Sequence, residues 1–247
     1  MNTIGKRNKE NREEWLEATL KKIPAGLKIL DAGAGELKYK KYCSHLEYTS
    51  QDFGQYDGTG DGVGLHTDTW DQTKLDIVSD IVNIPRPDAS FDAIMCIEVL
   101  EHIPDPAKAI KELSRLLKKG GKLIITSPFS SVSHMTPYHF ATGFNKYYYL
   151  EHSKINNLEI LDLHPNGDYY EYVAQELRRL PWVVNEYSNY NKAGLGFLKK
   201  TYFKIHSLLY RKILLPIMLN LLLKYKKIDI GSKEFWNFGY FVFAEKK

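Results

Sequence analysis

Short apolar runs alternate with stretches of helical spacing along the first two thirds of the chain. Lys28–Asp31 (KILD), Leu46–Ser50, Leu75–Ser79 and Asp92–Ile97 (DAIMCI) read as strands. The last is apolar at consecutive positions, as a strand covered on both faces is. An opening helix is predicted from Glu10 to Lys22, with Trp15, Leu16 and Leu20 on its apolar side and Pro24 and Gly26 ending it. The helix after Ile97 is better marked. Asp105 is its N-cap, Pro106 lies in its first turn, Ala107, Ile110, Leu113, Leu116 and Leu117 share a face, and Gly120 is the expected C-cap. Lys122–Thr126 (KLIIT), Leu158–Leu163 and Tyr240–Ala244 (YFVFA) supply the remaining strands. This alternation predicts an α/β fold: a doubly wound, mostly parallel seven-stranded sheet with helices on both faces and one antiparallel strand near its edge. Between the last two strands, Tyr169–Leu180 and Leu198–Tyr225 keep helical spacing. The expected organisation is therefore a core over residues 1–163, a helical lid or insertion over 164–236, and the last core strand over 237–247.

Composition narrows the classes without choosing among them. With 247 residues, 43% hydrophobic and 26% charged, the chain is an ordinary globular one, which excludes collagen, coiled coil and disorder. A net charge of +4 is too slight to argue for nucleic acid. Its distribution says more, because Gly196–Lys227 holds Lys199, Lys200, Lys204, Arg211, Lys212, Lys224, Lys226 and Lys227 and no acid. On a helical wheel Leu198, Tyr202, Ile205, Leu209 and Ile213 share one side and Lys200, Lys204 and Arg211 the other. Such a helix suits an anionic membrane surface; packing against the sheet or against the mate in a homodimer is the alternative. The longest apolar run, Ile213–Leu223, contains Pro216 and Asn220 and falls short of the roughly 20 residues that span a bilayer, so no membrane-spanning segment is expected. Two cysteines, Cys43 and Cys96, make no disulfide framework, and the N-terminus lacks the apolar core of a signal peptide. Both fit a cytoplasmic protein, with the basic helix placing it at the inner face of the membrane if it binds lipid.

The candidate chemistry begins where the first strand runs into Asp31-Ala-Gly33-Ala-Gly35-Glu36. Glycines let the backbone turn sharply and approach a ligand, and a following helix would offer N–H donors at the carboxyl edge of the sheet. About twenty residues on, the second strand ends in Gln51-Asp52, where a carboxylate can accept both hydroxyls of a ribose. A nicotinamide dehydrogenase shares this logic, but its Gly-x-Gly-x-x-Gly turn lacks its last glycine here.

Taken in order, KILDAGAGE, YTSQD, SDIVNIP, FDAIMCIEVLEHIPDP and LLKKGGKLIITSPF resemble a class I S-adenosylmethionine-dependent methyltransferase of the type 11 group, over Lys28 to about Leu163 plus the last strand. The resemblance implies that Asp31, Gly33 and Gly35 line the methionine portion of the cofactor, that Asp52 binds its ribose, and that Asp80 and Ile81 meet its adenine. Glu36-Leu37 replaces the third small residue of the usual turn. Read without the resemblance, Asp80 is a turn cap.

Glu98-Val-Leu-Glu101-His102 follows the fourth strand, and its spacing can bring two carboxylates and an imidazole onto one side of a helical turn. The same arrangement in ubiquinone-pathway O-methyltransferases and small-RNA ribose methyltransferases implies Mg²⁺ on Glu98, Glu101 and His102. In many other relatives it only orients the loop. After the fifth strand, the SHMTPYHF loop puts His134 and His139 on the edge where an acceptor must sit. His139, His134 and His102, in that order, are the candidate bases for a hydroxyl acceptor. No Asn-Pro-Pro-Tyr or Asp-Pro-Pro-Tyr follows the fourth strand, which disfavours methylation of nucleic-acid bases. PYHFATGF and NGDYYEYVAQELRRL further resemble a bacterial subset associated with surface glycan or lipid-linked sugar modification. The expected function is O-methylation of a small molecule or glycan. The alternatives are a metal-assisted RNA ribose methyltransferase and a non-catalytic cofactor-binding scaffold at a membrane.

Overall fold

The computed structural model describes residues 3–188 and 197–247, with the backbone alone for 197–200. The chain divides into two compact units. One holds Glu10–Asn166 and Phe238–Lys247; the other holds the described residues of Met1–Lys9 and Gly167–Asn237.

The first unit is a seven-stranded sheet. Its strands are β1 (Lys28–Ala32), β2 (Glu47–Asp52), β3 (Ile77–Val78), β4 (Phe91–Ile97), β5 (Leu117–Pro128), β6 (Leu158–Asn166) and β7 (Gly239–Lys246), in the spatial order β3-β2-β1-β4-β5-β7-β6. The first five pair in parallel, and β7 runs antiparallel to both β5 and β6. Strand order reverses between β1 and β4, and in open α/β sheets the carboxyl ends of the strands at such a switch point are where ligands bind.

Period-two alternation sorts the core into two layers. Ile29, Ala93, Met95, Ile97 and Ile124 pack with Leu16 and Leu20 of α1 (Asn8–Leu20). Leu30, Ile94, Cys96, Leu123 and Ile125 pack with Ile110, Leu113 and Leu116 of α2 (Pro106–Leu116). A third helix, α3 (Lys146–Ile155), starts at Asn145, whose side chain accepts from the Tyr147 and Tyr148 N–H groups. Asp105 caps α2 by accepting the Lys108 N–H, with Pro106 first in the helix. Gly120 is not the C-cap: the helix ends at Leu116, Leu117 is already extended, and Gly120 (φ +79°) turns the chain where the β4–β5 register shifts.

The second unit is helical: α4 (Tyr169–Tyr187), α5 (Phe197–Leu209), α6 (Leu215–Lys226) and the short α7 (Ser232–Phe235). Residues 3–9 belong here and not with the sheet, because Glu171 accepts the Gly5 N–H and Arg178 reaches the Ile4 carbonyl. A π-helical turn over Tyr210–Leu214 joins α5 to α6, with the Leu215 N–H donating to the Tyr210 carbonyl. That wider turn just ahead of Pro216 accommodates a residue that can donate no helical hydrogen bond. Pro216 therefore does not interrupt the helix, in keeping with the helical spacing of Leu198–Tyr225. Thr201–Lys226 runs as one helix of 26 residues, long and apolar enough by length and composition to cross a membrane. Little of it is buried: Tyr202, Ile205, Leu208, Ile213 and Ile217 are each at least half exposed. Leu198 and Lys200 of the expected wheel, and Lys199 of the basic stretch, lie outside the residues whose side chains are described.

Candidate active site

Asp31, next to last in β1, is almost fully buried, and its carboxylate accepts the Tyr48 hydroxyl at 2.6 Å. Burial pushes this carboxyl up to about 7, the charge of Asp52 adding to the effect and the Tyr48 bond opposing it. The chain then reverses through Gly33 (φ +80°) and Gly35 (φ +50°), and a Cβ on Gly33 would lie 2.4 Å from Val99 Cγ2. The Gly33 and Ala34 N–H groups both donate to the Gln51 carbonyl at 2.8 Å. Gly35 N–H donates to Asp52 Oδ2 at 3.0 Å. No α-helix follows the turn. Leu37 lies at φ +60° and the segment continues as turns into a 3₁₀ turn at Lys40–Tyr42. The expected helix N-terminus is thus absent from this segment, and the available donors are those of the glycine turn itself.

Asp52, buried at the end of β2, also accepts the Gly54 N–H at 3.1 Å and the Gln72 side-chain amide at 3.0 Å. Trp70 lies against the glycine turn, since a Cβ on Gly35 would stand 2.6 Å from its Cζ2. Asp71 N–H meets the Glu36 carboxylate at 3.1 Å. The segment Trp70–Gln72 thus rests on the same groups the sequence assigns to the cofactor. Ile81 is buried, while the exposed Asp80 uses its carboxylate to accept the Val82 N–H at 3.1 Å, the turn-capping role. Neither Tyr48 nor Trp70 nor Gln72 was singled out by the sequence. Tyr48 could have been, because it lies on the Asp52 face of a period-two strand.

The second group lies at the ends of β4 and β5. The Phe140 and Ala141 N–H groups donate to the Glu101 carbonyl, and Tyr138 offers its carbonyl to His102 Nδ1 at 2.6 Å. These bonds tie the 3₁₀ turn Leu100–His102 to the loop after β5 and bring all three candidate imidazoles together. The ring centroids of His102 and His134 are 4.6 Å apart, those of His134 and His139 4.7 Å, and those of His102 and His139 5.9 Å. Burial, then the neighbouring His134, pushes His102 down to about 4, and the same causes lower His139. His139 Nε2 meets Ser131 Oγ at 3.1 Å. Glu101 is buried with Oε2 lacking a hydrogen-bond partner, and burial raises its pKa well above the carboxylate range.

Glu98 does not join this group. Its backbone sits at φ +56°, Oε2 pairs with Arg12 Nη1 at 2.7 Å, and Oε1 accepts the Thr126 hydroxyl at 2.9 Å. The carboxylate is turned toward Arg12 of α1, a partner 86 positions away that the local motif gives no sign of. Glu101, His102 and His134 instead form the set whose ligand atoms lie within 4.8 Å of one another.

Residues 30–125 match the family model described as "Methyltransferase domain". Over this stretch the chain matches a methyltransferase domain, in keeping with the class I, S-adenosylmethionine-dependent type that the sequence motifs resemble, and the glycine turn, Asp52 and the Glu98–His102 segment all fall inside it. The ubiquinone biosynthesis O-methyltransferase of Xanthomonas oryzae is 33% identical over 120 residues, and that of Leptothrix cholodnii 28% over 119. The Xanthomonas match covers 47% of each chain and the Leptothrix match 47% of this chain and 50% of the relative, so the chain spans about half the length of the curated relatives it matches. Among solved structures, a putative sarcosine dimethylglycine methyltransferase from Galdieria sulphuraria superposes with a TM-score of 0.54 at 16% identity, covering 96% of this chain and 84% of the other. The cyclase SpnF superposes with a TM-score of 0.51 at 18% identity, covering 96% and 80%. The methyltransferase domain thus has its fold in common with an enzyme named for a different reaction, and residues, not fold, must carry the functional argument.

Proposed function

We propose that the protein transfers a methyl group from S-adenosylmethionine to a hydroxyl oxygen of a small molecule. The observation that carries this reading is the shared crevice: a glycine turn between two buried carboxylates on β1 and β2, beside three clustered imidazoles at the ends of β4 and β5. The cofactor supplies an electrophilic methyl on a sulfonium centre. Asp52 would take the ribose, Asp31 would face the cationic end of the cofactor, and the backbone at Gly33 and Gly35 leaves room for both. On the acceptor side, a neutral imidazole is needed to receive the hydroxyl proton. His139 is kept neutral by partial burial and by His134, and its bond to Ser131 fixes the ring. Relatives named as O-methyltransferases favour oxygen as the acceptor atom.

The finer reading is an acceptor presented at an anionic membrane surface, such as a lipid-linked sugar. It is supported by the exposed apolar and cationic helix of the second unit. Calorimetric titration with S-adenosylmethionine, followed by incubation of the protein with labelled cofactor and a lipid-containing cell extract, tests both levels. Cofactor binding with label in a hydroxyl-bearing small molecule is expected; no cofactor binding would refute the reading, and label in nitrogen or RNA would refute its acceptor.

A further inference from the structure

We propose that the second unit holds a groove for the hydrocarbon chain of a phosphate-headed lipid, formed between α4 and the α5–α6 helix, with Arg211 as the clamp for the headgroup. The inference rests on the membrane-surface reading of the proposed function and deepens it, adding a site for one lipid molecule to a surface contact; it does not depend on methyl transfer.

Two irregularities in facing helices build the groove. Pro181 lies inside α4 and has no N–H, so the Leu177 carbonyl four residues earlier loses its helical donor. The Tyr210 hydroxyl supplies the missing bond, donating to that carbonyl at 2.6 Å. Tyr210 is the first residue of the π-helical turn Tyr210–Leu214, so this one bond pins the wide turn to the proline site. Beside it lies a cavity of about 460 Å³, walled by Leu180, Val184, Phe203, Leu209 and Leu214. Small-molecule sites commonly enclose about 300–1,000 Å³ within mostly apolar walls, with a few polar groups to orient the ligand. Single π-helical turns inside α-helices are frequent at functional sites.

Charge and continuity decide the occupant. The helical wheel sets Arg211 opposite Tyr202 and Leu209, on the side of Lys204, yet in the structure Arg211 lines the cavity together with both. A π-helical turn rotates the chain less per residue than an α-helix, which brings residue 211 round toward the groove. Among the described residues, no acid lines the cavity. Apolar walls with an arginine and no acid complement a hydrocarbon chain that ends in phosphate: the walls take the chain out of water, and the planar guanidinium can bind two phosphate oxygens at once. A free phosphate would leave the apolar walls wet. Tyr202 and Leu209 are 59% and 43% exposed and also line the cavity, so the groove is continuous with the exposed apolar side of Thr201–Lys226. A lipid chain can therefore pass from a bilayer surface into the groove along apolar side chains.

The test is calorimetric titration of the full-length protein with monomeric decyl phosphate, with decyl glucoside as an uncharged probe of the same chain length. Decyl phosphate should saturate at one molecule per protein. Arg211→Gln should weaken its binding by roughly tenfold or more and leave decyl glucoside unchanged, and Arg211→Lys should restore part of the loss. Val184→Trp, at a position of α4 that is 42% exposed, should fill the groove and abolish binding of both probes with an unchanged circular dichroism spectrum, while sedimentation with phosphatidylglycerol vesicles persists. No saturable binding of decyl phosphate, equal affinity for inorganic phosphate, an Arg211→Gln variant that binds decyl phosphate as wild type does, or a dimer in analytical ultracentrifugation that Val184→Trp dissociates would each overturn the proposal. Vesicle binding by a protein that ignores decyl phosphate would overturn the groove alone; saturable decyl phosphate binding by a protein that ignores vesicles would support the groove and refute the surface reading.

Discussion

Attachment of the Thr201–Lys226 helix to anionic lipid can be estimated residue by residue. Lys204, Arg211, Lys212, Lys224 and Lys227 are exposed, while Lys226 is held by Asp168 and Glu171 and is discounted. At about 1 kcal/mol per cation near the surface, these five contribute about 5 kcal/mol. Tyr202, Ile205, Leu208, Leu209, Ile213, Ile217 and Leu221 are between 43% and 61% exposed. Burying the exposed half of each adds roughly 1 kcal/mol per residue as an upper figure. Both contributions are of similar size, so attachment should fail when either is removed. The helix should lie in the interface and not cross it, because Arg211 and Lys212 fall near its middle and would each cost about 2.5–3.5 kcal/mol at the bilayer centre. Charge reversal at Lys204, Arg211 and Lys212 removes about 3 kcal/mol of attraction and adds repulsion of similar size, which predicts a fall in partitioning of more than about a thousandfold. Vesicle sedimentation measures this: binding to phosphatidylglycerol vesicles at low salt, release at high salt, and none for the triple variant. Wild-type protein that ignores anionic vesicles at low salt, or a triple variant that binds as well as wild type, would refute the reasoning.

Three further outcomes follow from the crevice. Asp52→Ala should weaken S-adenosylmethionine binding by about 1–3 kcal/mol in calorimetry, through loss of charge-assisted bonds to the ribose. Gln72→Ala should tighten it by a few-fold, about 0.5–1 kcal/mol, because the Gln72 amide occupies Asp52 Oδ1, and cofactor addition should change Trp70 fluorescence as the segment lifts from Gly35. Unchanged affinity and unchanged emission would show that Trp70–Gln72 does not compete with the cofactor. For Asp31, a folded-state value near 7 lies above the unfolded carboxylate value of 3.8, so the folded state holds the extra proton between these two pH values. The favourable contribution is full below about pH 4 and is lost as pH rises through 7, a change on the order of 4 kcal/mol; chemical denaturation of Asp31→Asn should lack that decline.

The strands of the sheet and α2 were legible because their signals are local. Consecutive apolar positions mark β4, Asp105-Pro106 marks the start of α2, and each element buries the positions that its own period selects. Legibility failed where a local signal had two meanings. Gly120 is a plausible helix cap by position, yet it serves a turn inside the β5 segment, since Leu117 already pairs with Phe91. The stretch after Gly35 has helix-compatible composition, but Leu37 in the left-handed region breaks it. In α3, Tyr147, Tyr148 and Tyr149 in a row give no apolar period, although only Tyr149 is buried.

The candidate site divides along the same line. Asp31, Asp52, Glu98 and Thr126 fall at the carboxyl ends of their strands by register alone, so strand recognition places them in one crevice. What each carboxylate does there depends on partners remote in sequence. Glu98 and Glu101 are three positions apart in the same motif, yet Arg12 and Thr126 claim the first while the second is left buried beside His102 and His134. The spacing Glu-x-x-Glu-His fixes only that both acids begin near the same turn. A left-handed backbone at Glu98 sends its side chain toward α1, and the clamp of Phe140 and Ala141 on the Glu101 carbonyl draws the histidine loop toward the other. The chemical difference between two identical side chains therefore originates in one backbone torsion and two loop hydrogen bonds, neither of which the motif encodes.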